Sequence, residues 1–191
     1  MICDLQNINE IVKKEKLDVC VISYGGSCSN QLVDVLTNNN YTCRTPTWRS
    51  LLCHCPHFID IDIPIIYIYD NPVKSFLSMK RRKYDITNQK KLNNNSKIKI
   101  TDENLLTSMI RQFNSFTCNK NILLLKTHEI FEDTIVEKLQ TFLKKPDLKG
   151  FPIPYKTPHI ILENKKYTRA EFILFVKYKQ EIDKINNFPK T

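Results

Sequence analysis

Residues 19–36 read VCVISYGGSCSNQLVDVL: a short apolar run, a Gly25-Gly26 pair, four small or polar residues, then an amphipathic restart. Leu17–Ser23 is β-branched and ends at glycine, which predicts a buried strand. Ser29–Asn38 carries Leu32, Val33 and Leu36 at helical spacing, with Ser27 and Ser29 as candidate N-caps. A strand, a glycine turn and a helix N-terminus together make an anion site. Glycine admits backbone angles that let successive N–H groups converge on a phosphate, and the helix adds its positive end. Gly25, Gly26, Ser27, Cys28, Ser29 and Asn30 are therefore the candidate phosphate or sulfate ligands. The Gly-Lys-Ser/Thr ending of a Walker A loop is absent. Two glycines also serve an ordinary strand-to-helix turn, so this segment alone leaves both readings open.

The 191 residues are 41% hydrophobic, enough for one domain, 1–191, with a sizeable core. No apolar run is long enough to span a bilayer, and Met1–Lys16 lacks the basic start and apolar centre of a signal peptide. The expectation is a cytoplasmic protein with no membrane segment. A net charge of +9 suits an anionic partner such as nucleic acid, a phosphorylated nucleotide or an acidic glycan. The alternative reading of that charge is compositional drift, since a Lys, Asn and Ile bias is common in proteins of AT-rich genomes such as those of some large DNA viruses and protists. Seven cysteines without a secretory signal predict reduced thiols rather than a disulfide framework.

Further along, Ile63–Tyr69 and Asn121–Lys126 predict two more buried strands, and Tyr41–Trp48 is a short candidate strand. Helices are predicted over Pro72–Arg82, Asp102–Phe116, Ile135–Leu143 and Thr168–Asn186, the last with a Thr168/Glu171 capping box. Lys83–Lys99 is polar and predicts a mobile loop, and Phe151–Pro158 is proline-rich and extended. Strands alternating with helices indicate an α/β domain with a parallel sheet.

Residues 65–82, IIYIYDNPVKSFLSMKRR, repeat the order strand, tight turn, helix. With ISYGGSCSNQL before it and ILLLKTHEIFEDTIVEKLQTFLKK after it, the chain resembles the sulfotransferases that use 3′-phosphoadenosine 5′-phosphosulfate (PAPS). In that family a loop of the type S-Y-P-K-S-G-T-T-W cradles the 5′-phosphosulfate, and R-N-P-x-D-x-x-x-S holds the 3′-phosphate. The resemblance spans roughly residues 17–145 and implies a three-layer P-loop, sulfotransferase-like fold with a mainly parallel central sheet. It implies transfer of a sulfuryl group from PAPS to a hydroxyl acceptor, and it matches Asn71 and Ser78 to the 3′-phosphate site.

The departures are specific. The family's loop lysine falls at Gly26, and its 3′-phosphate arginine falls at Asp70. Lys74, Lys80, Arg81 and Arg82 are the candidate replacements for the missing cations, with Arg81 or Arg82 the candidates for the 3′-phosphate. His54 lies roughly where the family places its catalytic histidine and is the candidate general base. Other readings stay open: an inactive P-loop-fold binder of nucleotides, or a nucleic-acid binder using the basic residues at 80–83, 90–91, 97–99 and 165–169 with Tyr84 and Tyr167. Cys43, Cys53, His54, Cys55 and His57 carry zinc-type donors but lack paired C-x-x-C spacing. Cys28 stands at a helix N-terminus, where a thiol is acidified, but has no identifiable base.

Overall fold

Three short runs of β-branched, leucine and aromatic residues form parallel strands in the computed structural model, which describes residues 8–43, 51–94, 97–119, 122–149 and 167–189. The strands are β1 (Cys20–Ser23), β2 (Ile65–Tyr69) and β3 (Ile122–Lys126), in the order β1-β2-β3. Cys20 stands opposite Ile65, and Ile65 opposite Ile122, so the three carboxyl ends finish together. The chain is therefore α/β.

Strand side chains alternate in direction, and each face of the sheet builds its own core. Cys20, Ile22, Ile65, Tyr67, Tyr69, Ile122 and Leu124 point to one side. There they meet α3 (Pro72–Arg81), α5 (Asp102–Thr117) and α8 (Lys179–Asn186) through Phe76, Phe113, Phe116, Ile182 and Ile185. Tyr67 stacks on Phe116 with ring centroids 4.5 Å apart. Val21, Ile66, Ile68 and Leu125 point the other way, onto Leu32 and Leu36 of α2 (Ser29–Asn38) and Ile135 and Leu139 of α6 (Ile135–Leu143). Helices thus cover both faces.

The sequence reading needs five corrections. The polar stretch expected as a mobile loop, 83–99, contains a helix, α4 (Asp85–Leu92). Its buried residues are Asn88, Gln89 and Leu92, so two amides take the place of the apolar stripe that would have revealed it. Neither Ser27 nor Ser29 caps α2: the N-cap is Cys28 at φ 56°, with no side-chain cap. The final helix is two, α7 (Arg169–Lys177) and α8, broken at Tyr178, whose hydroxyl is drawn to Glu103 Oε1 at 2.6 Å. An additional helix, α1 (Ile8–Glu15), precedes β1. Tyr41–Cys43 form no strand, and the rest of that candidate, like Phe151–Pro158 and Lys165-Lys166, lies outside the described residues. The Thr168/Glu171 capping box is present.

Glu129, in the 3-10 segment Thr127–Phe131 after β3, is 1% exposed. Burial would raise its carboxyl pKa. The Lys138 ammonium, 2.8 Å from Oε1, and the Lys126 amide, 2.6 Å from Oε2, outweigh burial and hold it below the ordinary value. A lowered carboxyl stabilises the fold above the unfolded value of about 4.3, and that contribution is lost as pH falls through the folded value. Lys138→Met should cost about 1–3 kcal/mol at pH 7. In a pH series of chemical denaturation, the gap between variant and native protein should narrow below pH ~4 as Glu129 is neutralised. A gap that stays constant would show that the pair contributes nothing.

Candidate functional site

A cavity of about 290 Å³ opens at the carboxyl end of β1, where ligands bind in open parallel sheets. Its floor is the turn Gly25–Asn30 with Gln31. His54 and Cys53, from the 3-10 turn Leu51–His54, form one side. Arg82, Tyr84, Thr87, Asn88 and Lys91, from the end of α3 and from α4, form the other.

The turn owes its shape to both glycines. Gly25 has φ +100° and Gly26 φ +70°, conformations that other residues resist. A Cβ on Gly26 would lie 2.7 Å from the Ser75 carbonyl oxygen of α3, and one on Gly25 would strike the Asn88 amide and the Met79 sulfur. Neighbouring elements then tie the turn down. The Gly25 N–H donates to Ser23 Oγ at 3.3 Å, and Ser23 Oγ donates to Ser29 Oγ at 3.4 Å. Thr127 Oγ1, at the end of β3, lies 3.2 Å from the Ser27 carbonyl and 3.3 Å from the Tyr69 carbonyl. Tyr24, fully buried, bridges to the end of β2: its hydroxyl donates to the Asp70 carbonyl and accepts the Asp70 N–H at 2.8 Å.

Within this frame the N-terminus of α2 faces the cavity with no side-chain cap. Ser27 is 1% exposed, and its Oγ has no hydrogen-bond partner. A hydroxyl buried without a partner costs about 1–3 kcal/mol. Gln31 Oε1 is also without a partner.

His54 Nδ1–H donates to the Ser23 carbonyl at 2.6 Å. That bond fixes the tautomer: in the neutral ring Nε2 is the basic nitrogen. The Cys28 thiol is pushed up, first by burial and then by the Asp70 carboxylate, against the pull of Arg82. A raised thiol is a weaker candidate nucleophile than the acidified one a helix N-terminus suggests.

Of the residues singled out from the sequence, Gly25, Gly26, Ser27, Cys28, Ser29, Asn30, His54 and Arg82 share the cavity. Asn71, Ser78 and Arg81 do not line it. The Asn71 side chain caps α3, accepting the Val73 and Lys74 N–H groups at 2.8 and 3.2 Å. Ser78 is buried on α3, and Arg81 is exposed. Asp70 does not line the cavity either, and its Oδ1 accepts the Asn71 N–H at 2.7 Å. Sequence reasoning missed Tyr84, Thr87, Asn88 and Lys91 as partners of the glycine turn, because their helix was read as a loop. Their spacing of three, four and seven residues was the available signal.

The zinc-type donors are divided by the sheet. Cys43 packs on the α2 and α6 side, and Cys55 on the α3 and α5 side. Among the described residues no three His, Cys, Asp or Glu side chains gather as a metal site. Comparison with protein-family models, curated proteins and solved structures finds no match to the chain.

Ser27→Ala separates a ligand group from a packing group. The variant loses an unpaired buried hydroxyl, so the protein alone should keep its melting temperature or gain slightly. Binding of inorganic pyrophosphate, measured by calorimetry, should weaken about three- to tenfold, the equivalent of one hydrogen bond. Destabilisation with unchanged binding would make Ser27 structural.

Proposed function

We propose that the protein is a sulfuryl transferase of the PAPS-using kind, built on a P-loop, sulfotransferase-like arrangement and working in the cytoplasm. The observation that carries the reading is the partnerless Ser27 hydroxyl, buried at the floor of a cavity that meets the uncapped end of α2. An anionic group fits there and satisfies both. The resemblance of three sequence blocks names the donor. When bound, PAPS supplies an activated sulfuryl group.

The chain's own residues divide the remaining work. Gly26–Asn30 present backbone N–H groups toward the donor's anionic end, with Ser27 and Ser29 adding hydroxyls, while the Gly25 N–H stays on Ser23 Oγ. His54, oriented by its Nδ1–H bond to the Ser23 carbonyl, offers Nε2 to the proton of an acceptor hydroxyl. Arg82 and Lys91 bring positive charge to the cavity in place of the loop lysine. No helix among the described residues is long and apolar enough to cross a membrane.

A second reading, a nucleotide binder without turnover, is favoured by one observation. The space beside Gly26 is filled by the Ser75 backbone, so no lysine can stand there without displacing α3. Turnover decides between the two. With labelled PAPS and a panel of phenols, sugars and tyrosine peptides, an acceptor should stimulate release of adenosine 3′,5′-bisphosphate. His54→Gln should cut that turnover about 100- to 10,000-fold with donor affinity unchanged. Donor binding without turnover across the panel would select the second reading, and failure to bind PAPS would overturn the first.

A further inference from the structure

α7 carries apolar side chains on its inner and its outer side, the pattern of a helix with both faces covered. The inner side is accounted for. Leu174 is buried, Phe175 meets Phe76 edge-on with ring centroids 5.5 Å apart, and the Glu171 carboxylate lies 3.4 Å from Lys80 Nζ. The outer side is open. Phe172, Ile173 and Val176 are 59%, 58% and 55% exposed, and their spacing of three and four places them on one face. Three large apolar side chains this open within two turns form a patch, and an apolar patch at a surface marks a place of interaction.

The charges around the patch select its occupant. Lys177 Nζ lies 2.6 Å from Glu103 Oε1, and Lys80 Nζ, besides meeting Glu171, lies 2.6 Å from Asp102 Oδ2. These bonds hold α7 alongside the start of α5. The residues that lead into α5 include Lys97, Lys99 and Ile100, all exposed. Asp102, Glu103 and Glu171 are already committed to lysines, whereas among the described residues Lys97, Lys99 and Arg169 have no ion-pair partner. The apolar face is therefore bordered by uncompensated positive charge. A second copy meeting it through a twofold axis would set the same cations against themselves, which disfavours that pairing. An anionic lipid surface takes up both features: apolar side chains enter the boundary between headgroups and acyl chains, and cations meet the headgroups. With 9 residues, α7 has less than half of the roughly 20 that a membrane span needs, so it lies on the surface and does not cross it.

We propose that the outer face of α7 docks the protein on an anionic phospholipid surface, with Phe172, Ile173 and Val176 entering the headgroup layer and Lys97, Lys99 and Arg169 facing the lipid charges. None of these residues lines the glycine-turn cavity, so the docking surface stands or falls independently of the reading of that site.

Co-sedimentation of the full chain with vesicles tests this, using phosphatidylcholine alone and phosphatidylcholine with about one-third phosphatidylserine. The native protein should bind the mixed vesicles about tenfold or more tightly than the neutral ones, and added salt should weaken that preference. Phe172→Gln combined with Ile173→Gln should reduce binding to the mixed vesicles about tenfold or more, at an unchanged melting temperature because both side chains are exposed. Lys97→Gln, Lys99→Gln and Arg169→Gln together should remove the preference for mixed over neutral vesicles. Failure of the native protein to sediment with the mixed vesicles, or equal binding to both kinds, would overturn the proposal. A preference that survives the triple substitution would do the same. A mass of two chains by light scattering that falls to one in the Phe172/Ile173 variant would assign the face to a second copy and overturn it as well. So would a lowered melting temperature of that variant with native vesicle binding, which would assign the face to the chain's own packing.

Discussion

At Gly26 the backbone of the turn after β1 runs directly against the backbone of α3, with no space for a Cβ between them. This close approach is the constraint from which the site follows. It requires glycine for space as well as for its positive φ, and it holds the turn where β1, β2 and β3 all end. Ser23 bonds the turn locally, and Tyr24, Thr127 and His54 tie it and the end of β1 to the end of β2, to the segment after β3 and to the 3-10 turn Leu51–His54. A turn tied down by these bonds keeps its shape, which is the condition for preorganised electrostatics in a site.

The same packing explains why the charge pattern of the sequence was misleading in part. Asp70 occupies a position where a cation was expected, yet its carboxylate accepts the Asn71 N–H and it does not line the cavity. Its field still reaches the floor, since it helps raise the Cys28 thiol. Arg82 and Lys91 line the same cavity. Whether an anion is held is thus decided by cations from the α3–α4 corner against one carboxylate at the end of β2.

Much of the scaffold was legible because its signals are apolar and local. The runs around Ile22, Ile66 and Leu124 could hardly be anything but buried strands, and α2 and α6 begin and end where their apolar spacing predicts. The glycine turn and His54 were also readable, since glycine pairs and lone histidines stand out by residue type. What stayed hidden depends on polar contacts between distant segments. α4 turns Asn88 and Gln89 inward, so it lacks hydrophobic periodicity. Asn71 matches a phosphate-binding motif by spacing but serves as a helix cap, a role with the same side-chain chemistry. The break falls at Tyr178, whose hydroxyl reaches Glu103, 75 residues away, a contact no local pattern encodes.

The central claim is that backbone amides of the Gly25–Asn30 turn hold an anion. The most direct measurement is a titration of the ¹⁵N-labelled protein with inorganic pyrophosphate, following amide shifts by NMR. The account predicts saturable changes concentrated on the amides of Gly26–Gln31, with smaller ones at Arg82 and Lys91 and little change at α6. Shifts spread evenly over exposed lysine-rich segments, with the amides of the turn unmoved, would contradict it.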